Sequence, residues 1–188
     1  MKRIAIFASG GGSNARKILD YFEDKDHAEV GLIVSNRRNA GVYKHAADFG
    51  VSSLYINKAY FLENECILKV LHGEEIDLIV LAGFLWKIPK YLINAYPNKI
   101  VNIHPALLPK YGGKGMYGMN VHKAVKAAGD LESGPTIHFV NEHYDEGKHI
   151  FQTSCSIDLE DTPEDIARKV LALEHQHYPR IIDELLSN

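Results

Sequence analysis

The stretch Ile4-Ala5-Ile6-Phe7-Ala8-Ser9-Gly10-Gly11-Gly12-Ser13-Asn14-Ala15 decides the fold class. A short apolar run ends in a glycine cluster, and a helical pattern follows with Ile18, Leu19 and Phe22 on one face. The reading is strand, tight turn, helix. The alternation continues down the chain. Residues 30–34 read as a second buried strand, closed by Ser35-Asn36-Arg37-Arg38, and residues 40–49 as a helix stopped by Gly50. Residues 52–56 form a weaker third strand, residues 60–72 a helix closed by Gly73, and residues 78–81 a fourth strand. Continuous apolar strands alternating with helices predict a mostly parallel sheet with helices on both faces.

The second half has a different pattern. Residues 100–103 read as a short strand stopped by Pro105, and the glycine-rich stretch 107–120 as a long loop. Loops of that length inside compact domains are often functional. Residues 121–128 make a short helix. Residues 136–140 and 149–157 alternate like an antiparallel hairpin joined by the polar loop 141–148. Thr162 is placed to cap a last helix with Pro163 at its first position, and Pro179 is expected to break or kink that helix.

Composition narrows the function classes. With 188 residues the expectation is one α/β domain spanning 1–188. Lysine and arginine number 21 against 24 acidic residues, a net charge of −3 that disfavours nucleic-acid binding. No apolar stretch approaches the roughly 20 residues that span a bilayer. Cys66 and Cys155 form no CxxC pair and are read as buried, reduced thiols. Met1-Lys2-Arg3-Ile4 runs straight into the first strand, so a cytoplasmic protein is expected.

The loop Gly10–Ala15 fits the G-x-G-x-x-A form of a dinucleotide fingerprint. Glycines allow close approach of an anion, and a helix start offers free N–H groups and a positive dipole end. A phosphate is the expected guest. The acid that would hold an NAD ribose is replaced by Ser35-Asn36-Arg37. An NADP-binding reductase or binding module, with Arg37 on a 2′-phosphate, is the alternative class. No GK[ST] follows the glycines, which excludes a Walker A loop.

Val101-Asn102-Ile103-His104-Pro105 carries the chemistry. Residues two apart on a strand project together, so Asn102 and His104 share one side at a carboxyl strand end, where open α/β sheets bind ligands. An asparagine amide can donate to a developing oxyanion, and a histidine can move a proton near neutral pH. An orienting carboxylate is expected from the loop 141–147, with Asp145, Glu142 or Glu146 as the choices. There is no G-x-S-x-G elbow and no HExxH, and no metal site is expected. Lys110, Tyr111, Lys114 and Tyr117 decorate the long loop and could touch a substrate.

Together, Ser9–Asn14, Val80-Leu81-Ala82-Gly83-Phe84, Asn102-Ile103-His104-Pro105-Ala106-Leu107-Leu108-Pro109, Thr136-Ile137-His138-Phe139-Val140 and Glu174-His175 resemble the phosphoribosylglycinamide formyltransferases over nearly the whole chain. The resemblance implies a Rossmann-like formyltransferase fold. It implies transfer of a formyl group from 10-formyltetrahydrofolate, as cosubstrate, to the amine of 5-phosphoribosylglycinamide in purine synthesis, with no metal. It implies Asn102, His104 and Asp145 as catalytic residues, with Asp145 raising the His104 pKa. Gly12, Ser13 and Asn14 would meet the ribonucleotide phosphate, and Glu174 its glycinamide end. Leu85, Trp86, Lys87, Ile88, Asn102, Asn141, Glu142, His143 and Tyr144 would form the folate pocket. Residues 1–98 are then a ribonucleotide-binding half and 99–188 a catalytic and folate-binding half. Where better-known bacterial members place a folate-side arginine, this chain shows Asn64.

Within the superfamily, formyltetrahydrofolate hydrolases carry an extra N-terminal domain and methionyl-tRNA formyltransferases an extra C-terminal one. Neither addition is read in this chain, and the Gly-Ser-Asn loop argues against sugar-nucleotide formyltransferases. Small-molecule partners only, and a monomer or homodimer, are expected.

Overall fold

A computed structural model describes residues 1–63 and 66–187. Asn64 therefore lies outside the described residues. Five strands, β1 (Lys2–Phe7), β2 (Ala28–Ser35), β3 (Ser52–Tyr55), β4 (Leu78–Leu81) and β5 (Ile100–His104), pair in parallel in the order β3-β2-β1-β4-β5. After them come β6 (Glu132–Ser133), β7 (Thr136–Phe139), β8 (His149–Gln152) and β9 (Cys155–Ser156). β7 adds antiparallel to β5, and β8 antiparallel to β7, completing a seven-stranded sheet.

The strands bury both faces because their side chains alternate. On β1, Ile4, Ile6 and Ala8 face α1 (Ser13–Phe22), α2 (Val42–Asp48) and α6 (Pro163–Ser187). Ala5 and Phe7 face α3 (Cys66–Gly73), α4 (Lys90–Ala95) and the π-helical turn Ala59–Glu63. Ile4 pairs Val30 and Ala5 pairs Leu32, so Gly31 is the extra residue of a bulge. A Cβ there would stand 2.7 Å from the Arg3 guanidinium, which is bonded to Glu29 and Glu74. A smaller cluster joins α5 (Met119–Ala128) to α6 through Val121, Val125, Ile166 and Val170.

Thr162 caps α6 as expected. Its Oγ1 accepts the Asp165 N–H at 3.2 Å, and Asp165 accepts the Thr162 N–H at 3.0 Å, a reciprocal box.

Three expectations change, and one helix goes unannounced in the sequence. α6 runs through Pro179 without a break. Tyr178, Ile181 and Ile182 on either side are anchored in the main core, and that packing outweighs the one missing N–H. Residues 149–157 are two strands, because β8 stays in the main sheet while β9 pairs with β6 in a separate ribbon. The break falls at Thr153-Ser154, which press against Gly134: a Cβ there would lie 1.9 Å from the Thr153 carbonyl oxygen. Helix α4 follows Pro89 and is too short for its period to show in the sequence. Cys66 and Cys155 are free but only half-buried.

Candidate active site

The carboxyl ends of β1, β4 and β5 open onto one cleft of about 470 Å³. It lies where the strand order reverses between β1 and β4, the usual ligand crevice of such sheets.

One end of the cleft is the glycine loop. Gly12 has φ +78°, and a Cβ would come 2.7 Å from Val42 Cγ2, so both backbone sign and space demand glycine. α1 begins at Ser13 with no acid in its first turn, and the first N–H groups of a helix have no intrahelical partners. Ser13 is exposed at this positive end. Asn14 does something the sequence did not announce: its Nδ2 donates to Glu174 Oε2 at 2.6 Å, while its Oδ1 is buried without a partner. Glu174 is 7% exposed and lines the same cleft. Burial pushes its carboxyl up to about 7, with the Asn14 bond pulling the other way.

The other end is apolar. Leu85, Trp86, Lys87 and Ile88 form one wall, and Asn141, His143 and Tyr144 stand on it from the loop after β7. Behind the wall, Phe84 packs edge-on to Phe7 and Phe61, with ring centroids 5.4 and 5.6 Å apart. Trp86 lies 5.8 Å from Phe61. The Lys87 ammonium sits 5.7 Å from the Tyr144 ring. The Asn141 side chain accepts the His143 N–H at 2.8 Å and shapes the turn. Glu142 does not join the lining; it turns to Lys90 at 2.9 Å on the surface. The two ends are bound together, since buried Ser9 donates its N–H to the Gly83 carbonyl at 3.0 Å and its Oγ accepts the Leu85 N–H at 2.9 Å.

Between the two ends stand Asn102, His104 and Asp145. His104 is 4% exposed. Its Nε2 lies 2.8 Å from the Tyr111 carbonyl oxygen, which only accepts, so Nε2 carries the proton. Nδ1 is the atom left to titrate, and it faces Asp145 Oδ2 at 3.5 Å. Asp145 sits at φ +57°, a conformation that aspartate tolerates better than most side chains. Its Oδ2 accepts the Gly113 N–H at 2.9 Å, and its Oδ1 lies 3.7 Å from His138 Nε2, beyond hydrogen-bond reach.

Asp145 lifts the His104 pKa as expected, but burial is the larger influence. Burial lowers it below the ordinary imidazole value, and the upward pull of Asp145 and of the Tyr111 carbonyl does not recover the loss. For Asp145, burial pushes up, but the His138 and His104 imidazoles and the Gly113 N–H bring it below the usual carboxylate value.

Two histidines of the cleft were passed over in the sequence. His138 pairs opposite Asn102 across β5 and β7. Its Nδ1 lies 2.9 Å from the Phe139 carbonyl and must donate, so Nε2 accepts from Asn102 Nδ2 at 3.2 Å. That fixes which end of the Asn102 amide carries its hydrogens and leaves one N–H free. Registering the two strands against each other would have found this pair. His122, on α5, also lines the cleft; burial and then His104 lower its pKa. Of the loop residues, Tyr117 reaches the cleft, whereas Lys110 and Tyr111 both bond Asp130. Among the described residues, no group of three or more His, Cys, Asp or Glu could hold a metal ion, and no helix is long and apolar enough to cross a membrane.

The glycine loop, the aromatic slot and the Asn102, His104 and Asp145 side chains thus share one cleft at the carboxyl ends of the strands. The chain belongs to the formyl transferase family, whose model matches residues 2–182. It is 43% identical over 187 residues to the chloroplastic phosphoribosylglycinamide formyltransferase of Arabidopsis thaliana, covering 96% of this chain and 64% of that protein. It is 38% identical over 193 residues to the phosphoribosylglycinamide formyltransferase of Bacillus subtilis, covering 99% and 95%. The chain thus spans under two thirds of the plant relatives, 64% and 61%, and nearly all of the bacterial one. Among solved structures, glycinamide ribonucleotide transformylase 1 from Geobacillus kaustophilus superposes with a TM-score of 0.90 at 36% identity, covering 99% of both chains.

Proposed function

We propose that this chain transfers a formyl group from 10-formyltetrahydrofolate to the amine of 5-phosphoribosylglycinamide in purine synthesis. The observation that carries the reading is that the anion loop, the apolar aromatic slot and the Asn102–His104–Asp145 centre share one cleft. Family membership and the names of the relatives support it.

In this reading the ribonucleotide phosphate rests on Gly12, Ser13 and Asn14, with its glycinamide end toward Glu174. The folate ring enters between Leu85–Ile88 and the loop 141–144, with Glu142 serving that loop only from outside through Lys90. The amine nitrogen bonds to the formyl carbon, and the carbonyl oxygen gathers negative charge. The free N–H of Asn102 and the protonated His104 Nδ1 donate to that oxygen. As the intermediate collapses, the carbon–nitrogen bond to folate breaks. His104 Nδ1 gives its proton to the departing folate nitrogen and, then neutral, takes the one that the attacking nitrogen loses. Asp145 faces that atom and steadies its cation. Residues 1–98 then supply the anion loop and the Leu85–Ile88 wall, and residues 99–188 the centre, the facing loop and Glu174.

The test is an absorbance assay of 10-formyltetrahydrofolate with and without the ribonucleotide. Release of tetrahydrofolate that requires the ribonucleotide is expected. Release without an acceptor would mean a hydrolase, and no release in either case would remove the formyl-transfer reading.

A further inference from the structure

Tyr111 stands between two cavities. Its carbonyl holds His104, which lines the catalytic cleft, while Tyr111 itself lines a separate hollow of about 780 Å³ on the other side of the loop. In that hollow its hydroxyl donates to Asp130 Oδ2 at 3.0 Å, and Lys110 Nζ reaches the same oxygen at 3.1 Å. Asp130 follows directly on Gly129, the left-handed cap that ends α5, so the carboxylate is fixed to a regular element. The loop residue is therefore bonded at both ends of its own body. Its backbone lies at φ +56°, unusual for a large side chain and held only where surrounding bonds over-determine it.

We propose that the Tyr111–Asp130 bond is a positioning device for His104, fixing which imidazole nitrogen holds the proton from outside the catalytic cleft. The inference rests on the proton-carrier role given to His104 above. The logic is geometric. A carbonyl 2.8 Å from Nε2 keeps the hydrogen there and leaves Nδ1 to titrate against Asp145. If the loop slackens, Nε2 loses its acceptor and the other neutral tautomer becomes available, with its hydrogen on Nδ1 toward Asp145 and no lone pair there to take a proton. The charged and titratable groups facing His104 are Asp145 from the loop after β7, His138 from β7 and His122 from α5. None of them replaces the carbonyl at Nε2. Tyr111 and Asp130 touch neither substrate nor reacting atoms; they act through His104.

The experiment compares Tyr111→Phe, Asp130→Ala and Asp130→Asn with the unmodified chain. Phenylalanine and alanine both delete the bond, whereas asparagine keeps an oxygen to accept the Tyr111 hydroxyl. A lost hydrogen bond of ordinary strength predicts that the first two lower kcat about fivefold while KM stays within about twofold. Their pH–rate profiles should shift to lower pH where His104 titrates, because the carbonyl favours its protonated form. Long-range ¹H–¹⁵N spectra of the free protein should show a mixed His104 tautomer in both and the single Nε2–H form in Asp130→Asn. Unchanged profiles and tautomer in Tyr111→Phe and Asp130→Ala would overturn the proposal. So would equal losses in all three variants, which would mean mere loop structure. His104→Gln is the separate control: if it keeps full activity, the role given to His104 itself fails.

Discussion

Glu174 offers the sharpest quantitative test. The carboxyl is buried, accepts a hydrogen bond from Asn14 Nδ2, and is pushed by burial up to about 7 in the folded protein against 4.5 when unperturbed. Below pH 4.5 both folded and unfolded chains hold the proton, and the group adds no pH dependence. Between 4.5 and about 7 the unfolded chain ionises while the folded one does not, so stability falls by about 1.4 kcal/mol per pH unit. Above about 7 both are ionised and the loss levels at about 3 kcal/mol. Glu174→Gln has the same shape, keeps an oxygen for the Asn14 donor and cannot ionise. Its amide can also meet the orphaned Asn14 Oδ1. Urea unfolding of both proteins across this range is the assay. The two should match at the acid end, and the variant should be about 3 kcal/mol more stable at the alkaline end. All other titrating groups are common to both and cancel. Asn14→Ala should carry the fall on to higher pH, at the same slope, since Asn14 is the bond that favours the carboxylate. Parallel stability curves, differing by less than about 0.5 kcal/mol at every pH, would refute the burial argument.

Other outcomes follow from the centre and its supports. Asn102→Ala should reduce turnover by about 10²–10³-fold with an unchanged melting temperature, as measured for a lost oxyanion donor; near-normal turnover would remove Asn102 from the chemistry. Asp145→Asn keeps an acceptor for the Gly113 N–H but removes the charge that lifts His104, so the His104 limb of the pH–rate profile should move to lower pH. An unmoved limb would separate the two residues. Gly147→Ala would place a Cβ 1.6 Å from the Phe139 carbonyl oxygen that orients His138. Calorimetry should show a loss of about 1–3 kcal/mol from this overpacking, and a neutral result would mean that the strand end can shift freely.

Most of the parallel half was legible because Ile4–Phe7, Leu32–Val34 and Leu78–Leu81 are continuous apolar runs and the helices between them close on glycine or a polar cluster, while Ser52 and Ser53 make β3 the weaker signal. Asn102 and His104 were legible because a two-residue period and Pro105 fix their side and their position. What was hidden depended on distance or on competition. Asn14 and Glu174 lie 160 residues apart and meet only because α1 packs on α6. The direction of the His104 shift is a contest between burial and Asp145, and burial is not written in a local pattern. Pro179 reads as a helix breaker by local rules and is overruled by the core around it. The six residues of α4 and the two of β6 carry too little periodicity to announce themselves.

Helix α6 sets the order of events during synthesis. It delivers Tyr178, Ile181 and Ile182 to the same core face as Ile4 and Ile6 of the first strand, and the Tyr178 hydroxyl lies within 3.0 and 3.2 Å of the Leu81 and Val101 carbonyls. A chain still lacking this helix leaves the part of that face beyond α1 and α2 uncovered. Closing it joins the first strand to the last helix described, a long-range closure of the kind that slows folding.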